Sequence, residues 1–353
     1  MSEITALLAA GVRRQASDTF IIAGLPVSYK IEGEILPIDA ERIMPDRSNE
    51  LISALYALAG RDMNRLYETG DDDFSVSIKD LSRFRVCAYR QRGSLAAVIR
   101  TIAFGIPNYE QLGIPDEVMR IAEKTQGLVL ITGPAGSGKS TTQACIVDRI
   151  NRTRNAHIIT IEDPIEYLHR NDHSVITQRE VGSDTESYVA ALRASLRQAP
   201  NVILLGEMRD LETIKTAMTA AETGHLVIST LHTIGAVNSI DRIIDVFPPD
   251  QQQQIRIQLS MVLESVVTQR LIPGIDGEQI PVFEIMHLNP AIRNMIRDEK
   301  IHQIDSVIAT GAQEGMRTMD ASLLAEYRAG RIMEQTALCF ASNEEQMQRR
   351  LKG

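Results

Sequence analysis

The sequence predicts an α/β protein in two parts, a small α+β domain followed by a largely parallel sheet with helices on its faces and a helical tail. Three observations predict it. From Asp116 onward, short apolar runs alternate with helix-period segments, the order that builds a parallel sheet with helical crossovers. One of those runs, Leu128–Thr132, enters a glycine-rich turn (Gly133-Pro134-Ala135-Gly136-Ser137-Gly138) and leaves it as a helix-like segment, Thr141–Arg152. The residues before that region carry period-two strands without such alternation, and Gly105 to Pro115 separates the two with two prolines and two glycines in eleven residues. At 353 residues, two cores are the natural expectation. The expected bounds are 1–104, a linker 105–115, and 116–353, with 288–353 mostly helical.

In order, residues 3–15 read as a helix with Ile4, Leu7, Leu8 and Val12 on one face, stopped at Ser17-Asp18. Thr19–Ile22 and Val27–Ile31 read as strands, with a turn at Glu32-Gly33-Glu34. Glu50–Ala59 is helical, its expected apolar face Leu51, Ala54, Leu55 and Leu58. Phe74–Ile78, Phe84–Ala88 and Ala96–Ile102 alternate as strands do, and the domain ends near Phe104. Asp116–Gln126 is an expected helix, and His157–Ile161 a strand ending in Glu162-Asp163-Pro164. Ser183 with Glu186 suggests a capping box for a helix over Thr185–Gln198. Val202–Leu205 ends in Gly206-Glu207, Asp210 caps a helix that stops at Gly224, and Leu226–Thr230 ends at His232. The glycine turn, Glu162, Glu207 and His232 thus fall at carboxyl ends of strands, where an open α/β sheet binds its ligand. The rest is helical apart from a hairpin turning at Asp276-Gly277, with a further helix starting at Asn289-Pro290.

Composition narrows the class. A hydrophobic fraction of 44% and a charged fraction of 24% are those of a water-soluble globular chain. No apolar run approaches the ~18 residues of a membrane span. Leu7–Ala10 precede Arg13-Arg14, the reverse of a secretory signal. Cys87, Cys145 and Cys339 are scattered, so a reduced cytoplasmic compartment is expected and a zinc knuckle is not. A net charge of −9 speaks against a nucleic-acid partner.

The chemistry starts at Gly133-Pro134-Ala135-Gly136-Ser137-Gly138-Lys139-Ser140-Thr141, a match to G-x-x-x-x-G-K-[ST] between a strand and a helix. The glycines let successive N–H groups line one anion-sized hollow, and the helix start adds its positive dipole end. Lys139 would reach the β- and γ-phosphates of ATP, and Ser140 would offer its hydroxyl to Mg²⁺. A metal–nucleotide site also needs a carboxylate, and Glu207 ends four apolar residues in the Walker B manner. Glu162, Asp163 and Glu166 form a second acidic group, of which at least one is expected to face the γ-phosphate. His225 and His232 are candidate γ-phosphate sensors. Arg83, Arg85, Arg92 and Arg100 crowd the last strands of the first domain, as surface charge or as guanidinium fingers reaching a neighbour's nucleotide.

These residues fall into larger patterns. Ile161–Tyr167 resembles the Asp box of the secretion ATPase superfamily, Leu196–Asp210 its extended Walker B signature, and Thr223–Thr233 its His box. Asn201 stands where that signature usually has aspartate, and Ala199 where an acid is common. Ala16-Ser-Asp18, Phe84-Arg-Val86, Gln91-Arg-Gly93, Arg242–Pro248, Ala291-Ile-Arg-Asn294, His302-Gln-Ile304 and Gly315–Asp320 resemble the twitching-motility (PilT-type) retraction ATPases of type IV pili. The resemblance implies a PAS-like N-terminal domain, a RecA-like P-loop ATPase domain with a helical C-terminal part, and a homohexameric motor. It implies an ATPase using Mg²⁺, cytoplasmic and peripheral at the inner face of the cytoplasmic membrane, with an inner-membrane pilus platform protein as partner. Carried over residue by residue, it gives Lys139 and Ser140 to phosphate and metal and Glu207 to Walker B. Glu166 becomes a catalytic carboxylate, His225 and His232 members of the His box, and Arg85 and Arg100 the fingers. A pilus-assembly or type II secretion ATPase is the alternative within the superfamily; a nucleic-acid motor and a non-hydrolysing sensor are alternatives outside it. The short stretch before the linker and the lack of paired cysteines favour retraction.

Overall fold

The computed structural model describes residues 2–102 and 105–352, so the expected domain end near Phe104 lies outside the described residues. It separates into two compact units. One runs to Gly105 and includes Glu166–Leu168; the other holds Ile106–Ile165 and His169 onward.

In the first unit, helix α1 (Glu3–Arg13) starts where the Ser2 hydroxyl accepts the Thr5 N–H. Strands β1 (Asp18–Ile22), β2 (Ser28–Ile31) and β3 (Glu34–Pro37) follow, then helices α2 (Pro45–Ala59) and α3 (Asn64–Thr69). Strands β4 (Asp71–Ile78), β5 (Ser82–Gln91) and β6 (Ser94–Ile102) complete an antiparallel sheet in the order β3-β2-β1-β6-β5-β4. One face is apolar by alternation and packs Phe84, Val86 and Ile99 against Ile4 and Leu8 of α1 and Leu51, Ile52 and Leu55 of α2. Helix α2 buries Leu51, Ile52, Leu55 and Tyr56, whereas Leu58, expected inside, is exposed. The helix begins five residues earlier than expected, at Pro45, and the packed stripe follows the 51/52/55/56 spacing.

A carboxylate anchors this unit. Asp72 has a fully buried side chain that accepts Arg61 Nη2 at 2.8 Å, Arg61 Nε at 2.9 Å and the Tyr56 hydroxyl at 3.0 Å. Removing it would leave a guanidinium and a phenol without their partner in a desolvated place. Asp72→Ala is therefore expected to destabilise the protein by about 3 kcal/mol, read as a lower urea midpoint with an unchanged slope. A midpoint equal to that of the wild type would show that Asp72 adds nothing net.

The second unit opens with α4 (Asp116–Met119) and a 3₁₀ turn, Arg120–Glu123, shorter than the helix expected to reach Gln126. Arg154 stops it by donating to the carbonyls of Ala122 (3.1 Å) and Lys124 (2.7 Å), while Lys124 turns away to Glu264 at 2.9 Å. Then come β7 (Gly127–Thr132), α5 (Lys139–Thr153), β8 (His157–Glu162), β9 (Val175–Glu180), α6 (Tyr188–Ser195), β10 (Val202–Leu205), α7 (Leu211–Glu222) and β11 (Leu226–Leu231). Next are α8 (Ala236–Asp245), α9 (Pro249–Val262), β12 (Leu263–Pro273) and β13 (Gln279–His287), then α10 (Pro290–Arg297), α11 (Ile304–Thr310), α12 (Met319–Arg328), α13 (Glu334–Phe340) and α14 (Glu344–Leu351). The sheet order is β13-β12-β7-β11-β10-β8-β9, with β13 alone antiparallel to its neighbour. Alternate residues of the central strands feed two cores: Leu128, Leu130, Ile203 and Val227 on one face, Val129, Ile131, Leu204 and Ile228 on the other. Such two-sided burial is why these strands read as unbroken apolar runs.

Two details depart from expectation. Strand β9 has a half-polar sequence, and nothing in its pattern announced it. Helix α6 starts at Tyr188, capped by the Ser187 hydroxyl on the Ala190 N–H; Ser183, the expected cap, instead donates to Glu180 Oε1 at 3.3 Å. In the expected linker, Ile106, Tyr109 and Leu112 pack against the core of the second unit and Ile114 is buried there. Among the described residues, no helix is long and apolar enough to cross a membrane.

Candidate nucleotide site

The parallel strands of the second unit end on one edge, and their carboxyl termini carry the chemistry. Thr132 lies opposite Leu231, and the Gly133 N–H reaches the Leu231 carbonyl at 3.3 Å. The glycine turn is shaped by close approach as well as by dihedral angle. Gly133 has φ 140°, and a methyl there would stand 2.2 Å from the Gln269 carbonyl oxygen and 2.8 Å from Ser137 Oγ. Gly138, at φ 84°, caps α5, and a methyl there would meet Gln269 Nε2 at 2.9 Å. Gln269 of β12 is therefore the wall of the loop. Its Oε1 accepts the Thr142 hydroxyl at 2.6 Å, and beside it the hydroxyls of Thr132 and Thr268 bond at 2.8 Å. Sequence reasoning missed Gln269; its signal was a glutamine within a strand otherwise rich in buried apolar residues.

Lys139 is held over this cradle, its Nζ donating to the carbonyls of Gly133 and Pro134 at 2.9 Å each. Helix α5 starts at Lys139, so the N–H groups of its first turn, Ser140 and Thr141 included, and the positive end of its dipole face the loop. Ser137 Oγ is buried and has no hydrogen-bond partner among the described residues. A cradle with no room for a methyl at Gly133 or Gly138, an unspent hydroxyl and a buried ammonium fit an oligophosphate. The Ser140 hydroxyl and the Glu207 carboxylate are oxygen donors of the kind a hard divalent cation takes, so the residues fit Mg²⁺.

The acids sit on the adjoining strand ends. Leu205 is paired with Ile161 across β10 and β8, and the Gly206 N–H donates to the Ile161 carbonyl at 2.8 Å. Glu207 and Glu162 therefore leave neighbouring strands at the same level. Glu207 Oε2 lies 2.6 Å from Arg209 Nε and 3.4 Å from His232 Nε2. Glu162 Oε1 accepts the Thr160 hydroxyl at 2.6 Å and Gln178 Nε2 at 3.4 Å. Burial, then the charges of Glu207, Asp163 and Glu162, push the Tyr188 phenol well above its ordinary pKa. It stays a hydrogen-bond donor at every physiological pH.

The edge thus gathers Gly133, Pro134, Ala135, Gly136, Ser137, Gly138, Lys139, Ser140, Thr141, Glu162, Glu207 and His232. His225 is not there, which corrects its assignment to the γ-phosphate in its own unit. It precedes β11 at the opposite, amino end of the sheet, where its carbonyl accepts the Gly127 N–H at 3.0 Å and its Nδ1 donates to the Ala220 carbonyl at 2.9 Å. A six-residue strand separates it from His232, about 20 Å of extended chain.

The remaining candidates belong to the first unit. Arg85 of β5 and Arg100 of β6 are directly paired across the sheet, and Arg100 Nε donates to Asp18 Oδ1 at 2.9 Å. Like charges placed opposite each other in a sheet are destabilising, so this pair does not serve the stability of the strand ladder. Glu166 is exposed and lies in the short stretch that clusters with that unit.

The family model described as "Type II/IV secretion system protein" matches residues 2–279. The type IV pilus retraction ATPase PilT of Pseudomonas aeruginosa is 43% identical over 337 residues, 95% of this chain and 97% of that protein. A twitching motility protein of Neisseria gonorrhoeae is 43% identical over 347 residues, 98% of this chain and 92% of that one. A crystal structure of the pilus retraction motor PilT with bound ADP superposes with TM-score 0.90 at 42% identity, covering 99% of each chain. Near-complete coverage in both directions, with the phosphate loop and its two acidic strand ends in place, leaves one conclusion: the chain is a member of the type II/IV secretion system protein family and has the fold of its retraction ATPases.

Proposed function

We propose that this protein is a motor ATPase that hydrolyses Mg-ATP to retract type IV pili. The observation that carries the reading is the 43% identity to a retraction ATPase over 95% of the chain, joined to a phosphate cradle built entirely from this chain's own residues. ATP places its phosphates in the loop of Gly133–Gly138, and Lys139 exchanges its two loop carbonyls for phosphate oxygens. Ser140 and Glu207 would hold Mg²⁺, which would supply Lewis-acid neutralisation of phosphoryl charge. Glu207, with Glu162 and Glu166 of the Asp box, orients the attacking water, and His232 reads the γ-phosphate from its place beside Glu207. Arg85 and Arg100 act as guanidinium fingers on a neighbouring subunit's nucleotide. The two domains, 1–104 and 116–353, change their relation as ATP is bound and cut, a hinge motion that does the work.

The motor acts as a homohexamer in the cytoplasm, at the inner face of the membrane, against the platform protein beneath the pilus. Deleting the gene in its host and scoring pili and surface movement tests the direction of drive. Cells that keep or gain pili but cannot move, and are restored by the wild-type chain, are the expected result. Bald cells would transfer the assignment to pilus assembly.

A further inference from the structure

Tyr188 stands where the two acid-bearing strand ends meet. Its ring packs against the core under β8 and β10, and its backbone is fixed as the first residue of α6. The hydroxyl emerges beside Gly206. A methyl on Gly206 would lie 2.8 Å from the Tyr188 oxygen, 3.4 Å from the Ile161 carbonyl and 3.5 Å from Glu162 Cα. Gly206 has no left-handed backbone, so the missing side chain there makes room for the phenol and relieves no dihedral strain.

The residue after that glycine is Glu207. Its Oε2 takes both Arg209 and His232, whereas Oε1 has no hydrogen bond among the described residues. The Tyr188 hydroxyl has none either, although Glu207, Asp163 and Glu162 are the acidic groups acting on it. An unspent donor on a packed ring therefore stands beside Gly206, the residue before the carboxylate that the hydrolytic step needs, and that carboxylate keeps an unspent acceptor. The present holder of Glu207 is poorly suited to fix it, because the Arg209 side chain is 71% exposed and long. A phenol rooted in a core has two torsions, both set by packing, so it can fix a carboxylate at little entropic cost.

We propose that Tyr188 is a positioning residue for hydrolysis: its hydroxyl donates to the Glu207 carboxylate in the nucleotide-bound protein and sets the rotation at which that carboxylate meets the attacking water. The proposal rests on the assignment of Glu207 to the hydrolytic step. The competing account is that the ring only fills the core, and phenylalanine would serve that purpose equally.

Tyr188→Phe separates the two, since it removes one oxygen and keeps the ring. Measured on the purified full chain with Mg-ATP, it is expected to lower kcat about tenfold with KM for ATP and affinity for ADP unchanged and no loss of thermal stability. Glu207→Gln and the double variant are measured beside it; Glu207→Gln should be all but inactive, its turnover down about a hundredfold to a thousandfold, and the double variant no worse. A Tyr188→Phe protein with wild-type kcat, beside an inactive Glu207→Gln, would overturn the role of Tyr188 and leave the site assignment standing. A change confined to KM would also overturn it, by moving Tyr188 to nucleotide binding. An active Glu207→Gln protein would overturn the site assignment, and this proposal with it.

Discussion

Lys139→Ala is expected to reduce ATP turnover by about a thousandfold or more while the chain remains folded. The ammonium is a full positive charge, and it is already aimed into the cradle of Gly133–Gly138 by the Gly133 and Pro134 carbonyls. A charge held in a poorly solvated loop acts on a developing phosphoryl charge far more strongly than one in water, and needs no reorganisation as the reaction proceeds. Truncation removes this term and leaves the apolar strand β7 and helix α5 intact, so the cost to stability is small beside the loss of rate. Phosphate release under saturating ATP, with circular dichroism as the control for folding, measures it. Release at the wild-type rate would show that the loop is not the phosphate site.

The second large effect is expected at Glu207. Glu207→Gln keeps shape and hydrogen-bonding capacity but removes the charge that can accept a proton from water, and turnover should fall by about a hundredfold to a thousandfold. ATP binding should persist, because Lys139, Ser140 and the loop are untouched. The signature is a protein that retains a fluorescent ATP analogue yet releases no phosphate. Arg209 and His232 would lose an ion-pair partner, but Arg209 is largely exposed and His232 is half exposed, so the fold should tolerate the change. Turnover close to that of the wild type would move the hydrolytic carboxylate elsewhere, with Glu162 and Glu166 next in line.

Much of the site was legible before the fold was known, and the reason is local. The phosphate loop is a run of neighbours whose spacing is its geometry: a strand, glycines at positions needing positive φ, then a lysine opening a helix. Glu207 and His232 were legible because each ends a strand buried on both faces, and such strands announce themselves as unbroken apolar runs. His225 went wrong for the same kind of reason. Membership in a motif put it beside His232 in sequence, but a strand lies between them and carries them to opposite edges of the sheet. The cap of α6 was misassigned because Ser183 and Ser187 both precede the helical stretch, and their roles differ only through Glu180, which Ser183 contacts across a turn.

By itself the sequence determined that this chain has a phosphate-binding loop, two acidic strand ends and a second, smaller α+β unit. Each of these is written in short windows whose residue types and spacing allow few backbone conformations. Tertiary structure alone decided that Gln269 walls the loop from 127 residues beyond Thr142, that Tyr188 reaches the gap over Gly206, and that Arg85 faces Arg100. Contacts of that span depend on which strands become neighbours. The burial of whole faces selects that order, and no local pattern specifies it.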